Sequence, residues 1–303
     1  MNLPFEYDRL APGAFGGTTP TTTDFEHARV VIFPVPLDRT TSYVPGTRNG
    51  PHEILAASSH MELWDEETET DVHSIGLFTL PEMEFPFSTM EGVVEEIRRV
   101  AAEIVSRDKF PVVLGGEHSI TAPVVAAVAA KYPGLSVLQI DAHADLRESY
   151  MGTPHNHACA MRRVLEYART TQVGVRSLSP EEAAAAPALP TTIFYDYNMR
   201  RHADWIERVV DSLGETVYIT IDCDGLDPAI MPAVGTPEPG GLTWHETLAL
   251  LRRVIESRRV VGCDIVELCP LPGYVSPNFL CAKLIYKILS YRFGNEVRRR
   301  GLD

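Results

Sequence analysis

Cysteine is scarce in this chain of 303 residues: there are five, and no two form a C-x-x-C pair. An odd set without paired spacing argues against a disulfide framework and against a thiolate zinc site. Long apolar runs are missing too, so no bilayer span is expected. The first residues, MNLPFEYDRLAPGAFGG, lack the basic flank and continuous apolar stretch of a secretory signal, which favours a cytoplasmic location. Positive charge is in deficit. Lys and Arg total 27 against 41 Asp and Glu, a formal net charge of -14, which speaks against a nucleic-acid surface and is compatible with a cationic ligand. Repeats, low-complexity tracts and linkers are also absent, and 45% hydrophobic content suffices for a large core. One domain over residues 1–303 is expected.

What is present is an alternation of apolar runs with amphipathic stretches. Strands are expected at 28–35, 110–116, 135–141, 170–176, 191–196, 216–222 and 259–267, and helices at 88–107, 118–131, 199–212, 243–257 and 278–292. The alanine run at 183–186 follows SPEE and reads as a short helix. Because the strand runs are continuously apolar, they suit a parallel sheet covered on both faces, an α/β fold of three-layer α/β/α type. Ligands in such sheets bind beyond the carboxyl ends of the strands.

Chemistry-bearing residues gather at those ends. Asp141, His143 and Asp145 follow LSVLQI with period two, and Asp222 and Asp224 close VYITI in the same way, so five ligand-type side chains can converge. Carboxylates placed together at the mouth of apolar strands repel one another unless cations intervene, and more than one divalent ion is the simplest resolution. His118, in GGEHS after FPVVL, would open a helix beside them, its paired glycines turning the chain tightly off the strand. Glu267 closes RVVGCDIVE and suits a supporting or substrate-binding role. Asp264 reads as support for the site or a partner for backbone hydrogen bonds, and Cys223, between two ligands, as a buried small apolar residue. Asp227 and Pro228 shape the following turn, and Trp244 packs at a helix start.

The ordered set GGEHS, DAHAD, DCDGLDP and DIVE resembles the ureohydrolases, the family of arginase and agmatinase, which hydrolyse a guanidino group to urea and an amine at a binuclear manganese centre. The likeness extends from PVPLDRTTSYVPGTRNGP through VGVRSLSPEE to GTPEPGGLTW. It implies a mostly parallel eight-stranded sheet and a homo-oligomer, trimer or hexamer. It also implies that His118, Asp141, Asp145 and Asp222 hold one Mn²⁺, and Asp141, His143, Asp222 and Asp224 the other. Such oxygen and imidazole donors also accept Ni²⁺, Co²⁺ or Zn²⁺. By the same resemblance His157 moves the proton, with His155 as competitor, and Glu267 holds the guanidinium.

The stretch Leu146–Met151 departs from the arginase pattern, which disfavours arginine. GTPEPGGLTW, PGTRNGP and HACAMRR look like the agmatinase branch, and agmatine, cleaved to putrescine and urea, is the leading small cationic guanidino substrate. Glu238 is a candidate for its free amine. N-substituted agmatines of a spermidine route, which Arg147 or Tyr150 would meet, guanidinobutyrate and guanidine are alternatives. A deacetylase of the same fold, or a non-catalytic metal-binding homologue, is the rival of another class.

Overall fold

The computed structural model describes residues 13–17, 24–86 and 89–300. Its strands are β1 (Val30–Val35), β2 (Leu77–Thr79), β3 (Phe110–Gly115), β4 (Ser136–Ile140), β5 (Arg169–Val175), β6 (Thr191–Tyr195), β7 (Thr216–Asp222) and β8 (Arg259–Val266). They form one sheet in the order β2-β1-β3-β8-β7-β4-β5-β6, and every pairing is parallel. The helices are α1 (Gly50–Ser58), α2 (Met90–Ser106), α3 (Thr121–Lys131), α4 (Ala160–Val164), α5 (Pro180–Ala185), α6 (Asp196–Met199), α7 (Trp205–Ser212), α8 (Trp244–Ser257) and α9 (Ser276–Arg300).

Strand alternation builds two cores. Val30 and Ile32 point with Ile140, Ile221 and Ile265 into a layer shared with α1, α7, α8 and α9. Val31 and Phe33 face the other way and pack with α2, α3 and α4. The central strands are therefore covered on both sides, which is why their sequences read as continuously apolar, whereas the edge strand β6 is only half-buried. The three-layer α/β/α expectation holds.

Local departures have local causes. The eighth strand, β2, is a three-residue edge strand, too short to show periodicity. The helix expected at 199–212 is two pieces, α6 and α7, because the polar run RRHAD makes a turn between them. Asp196 opens α6 instead of ending β6. Absent from the expected set, α1 carries Pro51 in its first turn and buries Ile54 and Leu55. The alanine run does end a short helix, α5, held by a reciprocal capping box between Ser179 and Glu182.

Glycine is demanded at the turn from β3 into His118. A Cβ on Gly116 would lie 1.8 Å from the Leu37 carbonyl oxygen, and that same carbonyl accepts the Glu117 N–H at 2.7 Å. The close approach ties the segment after β1 to the strand end that presents His118. Gly116→Ala should cost about 1–3 kcal/mol or more, as overpacking does, and displace His118. Urea denaturation and bound-metal stoichiometry should both register it; wild-type values in each would show that the turn relaxes freely.

Candidate metal centre

The ligand-type side chains meet at the carboxyl ends of four adjacent strands, β3, β8, β7 and β4. The segment after β4 is a loop and not extended chain, with Asp145 in the left-handed region at φ 52°. Likewise Cys223–Gly225 is a 3-10 turn capped by Asp222, whose Oδ1 accepts the Asp224 N–H at 2.9 Å. The residues of the period-two expectation do come together, but the backbone turns there. One cause is Gly225, where a Cβ would sit 2.6 Å from the Asp141 nitrogen.

Two groups interlock. His118, Asp141 and Asp145 offer ligand atoms within 4.8 Å of one another, as do Asp141, His143 and Asp224, so Asp141 belongs to both. His118 Nδ1 stands 3.1 Å from Asp141 Oδ2, 3.1 Å from Asp145 Oδ2 and 3.3 Å from Asp222 Oδ2. Yet that nitrogen, fully buried, makes no hydrogen bond. His143 Nδ1 lies 2.9 Å from Asp224 Oδ2. Burial, and then the charges of Asp224 and Asp141, push Asp222 well above the usual carboxylate range; burial and the Asp141 charge raise Asp145 to about 6. An orphaned imidazole nitrogen facing three crowded carboxylates is a donor set that fits divalent cations.

A hydrogen-bonded frame aims these groups. His118 Nε2 meets Thr220 Oγ1 at 2.9 Å, turning Nδ1 toward the acids. Behind it, Asp264 accepts from Thr121 Oγ1 at 3.0 Å and from the Tyr218 hydroxyl at 2.9 Å, the supporting place expected for it. Gln139 Nε2 donates to Asp141 Oδ2 at 2.6 Å, and Gln172 Nε2 to the Ala144 carbonyl at 2.7 Å. Cys223 is buried against Cys281 of α9, Asp227 accepts from Ala229 N, and Trp244 packs on the core away from the centre.

Glu117 went unread in the motif that carries it. It is fully buried and accepts from Thr40 N, Thr40 Oγ1 and Ser119 Oγ. Thr40 Oγ1 in turn accepts the His157 N–H at 2.9 Å, while Ser42 Oγ lies 3.1 Å from His157 Nε2. An acid between a required glycine and a ligand-type histidine was the available signal.

His157 Nδ1 lies 3.5 Å from Glu267 Oε1, which also accepts the His118 N–H at 2.8 Å. Burial pulls the His157 pKa down, but the Glu267 bond and charge, with Asp145 and Glu117 beyond, leave it raised above the ordinary value. A cavity of ≈ 220 Å³ opens over the centre, with His157, Arg147, Tyr150, Glu182 and Thr236 in its wall. His155 instead faces a small cavity beside α3, and Glu238 does not line the main one. The shared position of Asp141 predicts that Asp141→Ala loses metal from both positions, whereas His118→Ala loses mainly one. Metal analysis of the purified variants distinguishes these, and two ions retained in Asp141→Ala would refute the shared role.

A profile described as the arginase family matches residues 28–290. The chain is similar to the N(1)-aminopropylagmatine ureohydrolase of Synechocystis, 40% identical over 286 residues, covering 92% of this chain and 93% of that protein. It is 36% identical to the agmatinase of Bacillus cereus over 252 residues, 82% of this chain and 86% of that protein. The solved agmatine ureohydrolase of Thermoplasma volcanium superposes with a TM-score of 0.82 at 32% identity, covering 95% and 96% of the two chains. With the profile spanning most of its length and relatives matched nearly end to end, this chain belongs to the arginase family.

Proposed function

We propose that the protein hydrolyses the guanidino group of agmatine to putrescine and urea at a binuclear manganese centre. The observation that carries this reading is the pair of interlocked His/Asp groups sharing Asp141, set beside the His157–Glu267 pair. His118, Asp141, Asp145 and Asp222 would hold one ion, and Asp141, His143, Asp222 and Asp224 the second. Oxygen and imidazole donors without sulfur favour Mn²⁺, with Ni²⁺, Co²⁺ and Zn²⁺ as competitors. When bound, the ions would lower the pKa of water and so supply a nucleophile near neutral pH.

The remaining work falls to the chain. Glu267, fixed by the His118 N–H, offers a carboxylate to the planar guanidinium. Addition of water to the guanidino carbon is followed by cleavage of its bond to the substituted nitrogen, and that nitrogen must gain a proton before it leaves as the amine. His157 is placed to give it: its backbone is pinned by Thr40, its ring is held between Ser42 and Glu267, and the Glu267 carboxylate favours its protonated form.

A second substrate class is favoured by a specific feature. The Arg147 guanidinium stacks 4.8 Å over the Tyr150 ring in the cavity wall. Glu182, the carboxylate nearest Arg147, already accepts from Leu146 N and Ser179 N. A cation there suits an arm that ends in a carboxylate, such as carboxyaminopropyl, better than a bare ammonium, while the name of the Synechocystis relative keeps the aminopropyl arm as the other extended candidate. We also propose a cytoplasmic enzyme, the described residues containing no helix long and apolar enough to cross a membrane. Its subunits would associate as a trimer or hexamer; exposed Tyr274, Val275 and Phe279 near the start of α9 are apolar surface available for that contact.

Urea release should be measured with the Mn²⁺-loaded protein on agmatine, aminopropylagmatine, carboxyaminopropylagmatine, guanidinobutyrate, arginine and guanidine. The expected kcat/KM ranking places agmatine or an extended agmatine first and arginine low. Silence on all of them, repeated with Ni²⁺, Co²⁺ and Zn²⁺, would overturn the hydrolytic reading in favour of a deacetylase or binding role. His157→Ala should keep its metal and lose roughly 10²–10⁴-fold in kcat, the range for a proton-transfer group. In the wild type, kcat should fall as pH rises through the His157 pKa, above the ordinary imidazole value. A His155→Ala variant with that phenotype would reassign the role.

A further inference from the structure

At the amino-terminal end of the sheet, opposite the metal centre, lies a second cavity of ≈ 280 Å³. Four cationic side chains line it, Arg29, Lys109, Arg259 and Arg292, with Asp108 as the one carboxylate in the lining. In a chain with a net charge of -14 this is a local reversal of sign. The fold makes it. Strands β1, β3 and β8 are consecutive neighbours, and Val30 pairs with Phe110 in register, so Arg29 and Lys109 enter adjacent strands side by side. Arg259 is the first residue of β8, one strand further on. Neighbouring strands lie about 4.8 Å apart, and like charges in such a row repel. Arg292 of α9 completes the group from above.

Acids act on the group from several sides, Glu26 and Asp24 on Lys109 among them, but Asp108 alone shares the cavity lining with the four cations. Asp108 bonds Lys131, and Glu296 lies 3.5 Å from Arg29. Lys109 spends its ammonium on the carbonyls of Glu26 and Ala28, and Arg292 Nε donates to the Val260 carbonyl at 2.9 Å. The negative end of α2 is already answered by Lys131, which donates to the Val105 carbonyl. Burial, and then the Arg29 charge, hold Arg292 below its ordinary pKa, with Arg259 adding to the effect against the opposing Glu296. Phe110 and Phe293, edge to face at 5.3 Å, with Tyr132 under the Arg259 guanidinium at 5.1 Å, give the cavity apolar and aromatic walls. These walls lower the local dielectric on the Arg292 side of the cavity, which strengthens the attraction for an anion there.

We propose that this cavity is a binding site for a phosphate dianion, free or as the monoester of a small molecule. Guanidinium groups converging from two elements match tetrahedral oxyanions through paired donors. The site is independent of the catalytic reading, so its failure would leave urea release untouched.

The test is isothermal titration calorimetry of the metal-loaded protein with inorganic phosphate and with adenosine 5′-monophosphate, against chloride at matched ionic strength. One saturable site per chain is expected. Arg259→Gln and Arg292→Gln should each weaken it about tenfold or more, the loss of one charge-assisted hydrogen bond, with urea release unchanged. Tighter binding of the monophosphate would identify a monoester ligand, and equal binding would identify phosphate itself. No saturable heat at millimolar phosphate would overturn the proposal, as would binding that survives both substitutions. Arg259 is largely exposed, so its variant keeps the test decisive if Arg292→Gln does not fold.

Discussion

Four aspartates that repel one another are the constraint around which this molecule is arranged. Asp141, Asp145, Asp222 and Asp224 are all buried, and oxygens of the first three converge on one imidazole nitrogen. A flexible chain would relieve that strain by separating them. Here each sits at or just beyond the end of a strand paired on both sides, in a sheet covered on both faces, so the carboxylates cannot move apart without disturbing the core. The fold supplies rigidity, and divalent cations would supply the compensating charge.

Other buried acids stand apart from one another, which the four do not. Glu117 is as buried as Asp141, but Thr40 and Ser119 answer it with three donors. Asp264 has Tyr218 and Thr121, and Asp65 has Lys287 at 2.9 Å and Thr68. These carboxylates are structural: each is met by hydroxyls or an ammonium, and none is crowded by a second carboxylate around one imidazole as the four aspartates are. Their placement is still useful. Glu117 fixes Thr40, which fixes the His157 backbone, and Asp264 lies behind the threonines that turn His118. A buried acid thus works either as a strut or as a ligand, and the identity of its donors decides which.

That distinction explains how far the sequence could be read. Strands ending in DAHAD, DCDGLDP, GGEHS and DIVE were legible because a carboxylate closing an apolar run is anomalous wherever it occurs. The sheet followed from the same runs. Position in space was less legible. Nothing in the spacing told that Cys223–Gly225 is a 3-10 turn, since Asp-Cys-Asp suits an extended chain equally well; close packing of Gly225 on Asp141 decided it. Thr40, Ser42 and Gln172 were illegible for another reason. They come from two distant segments, the loop after β1 and strand β5, and an uncharged side chain advertises no cost of burial until its partner is known. β2 was missed because three residues carry no period, and the break between α6 and α7 because a polar turn flanked by apolar residues mimics a helix face.

A parallel sheet is polar as an object, and this chain uses both ends of it. All strands point the same way, so the residue after each strand joins one cluster and the residue before each joins another. At the carboxyl ends the cluster is acidic and gathers the candidate metal ligands. At the amino ends of β1, β3 and β8 it is basic, because Arg29 and Lys109 stand side by side before β1 and β3 and Arg259 opens the neighbouring β8. The two clusters share their carriers: β3 runs from Lys109 to the turn before His118, and β8 from Arg259 to Glu267. An ion at either end therefore stabilises the same strands. Charge separated along a rigid sheet is tolerable only when each end finds its counter-ion, and at both ends the side chains are arranged to receive one.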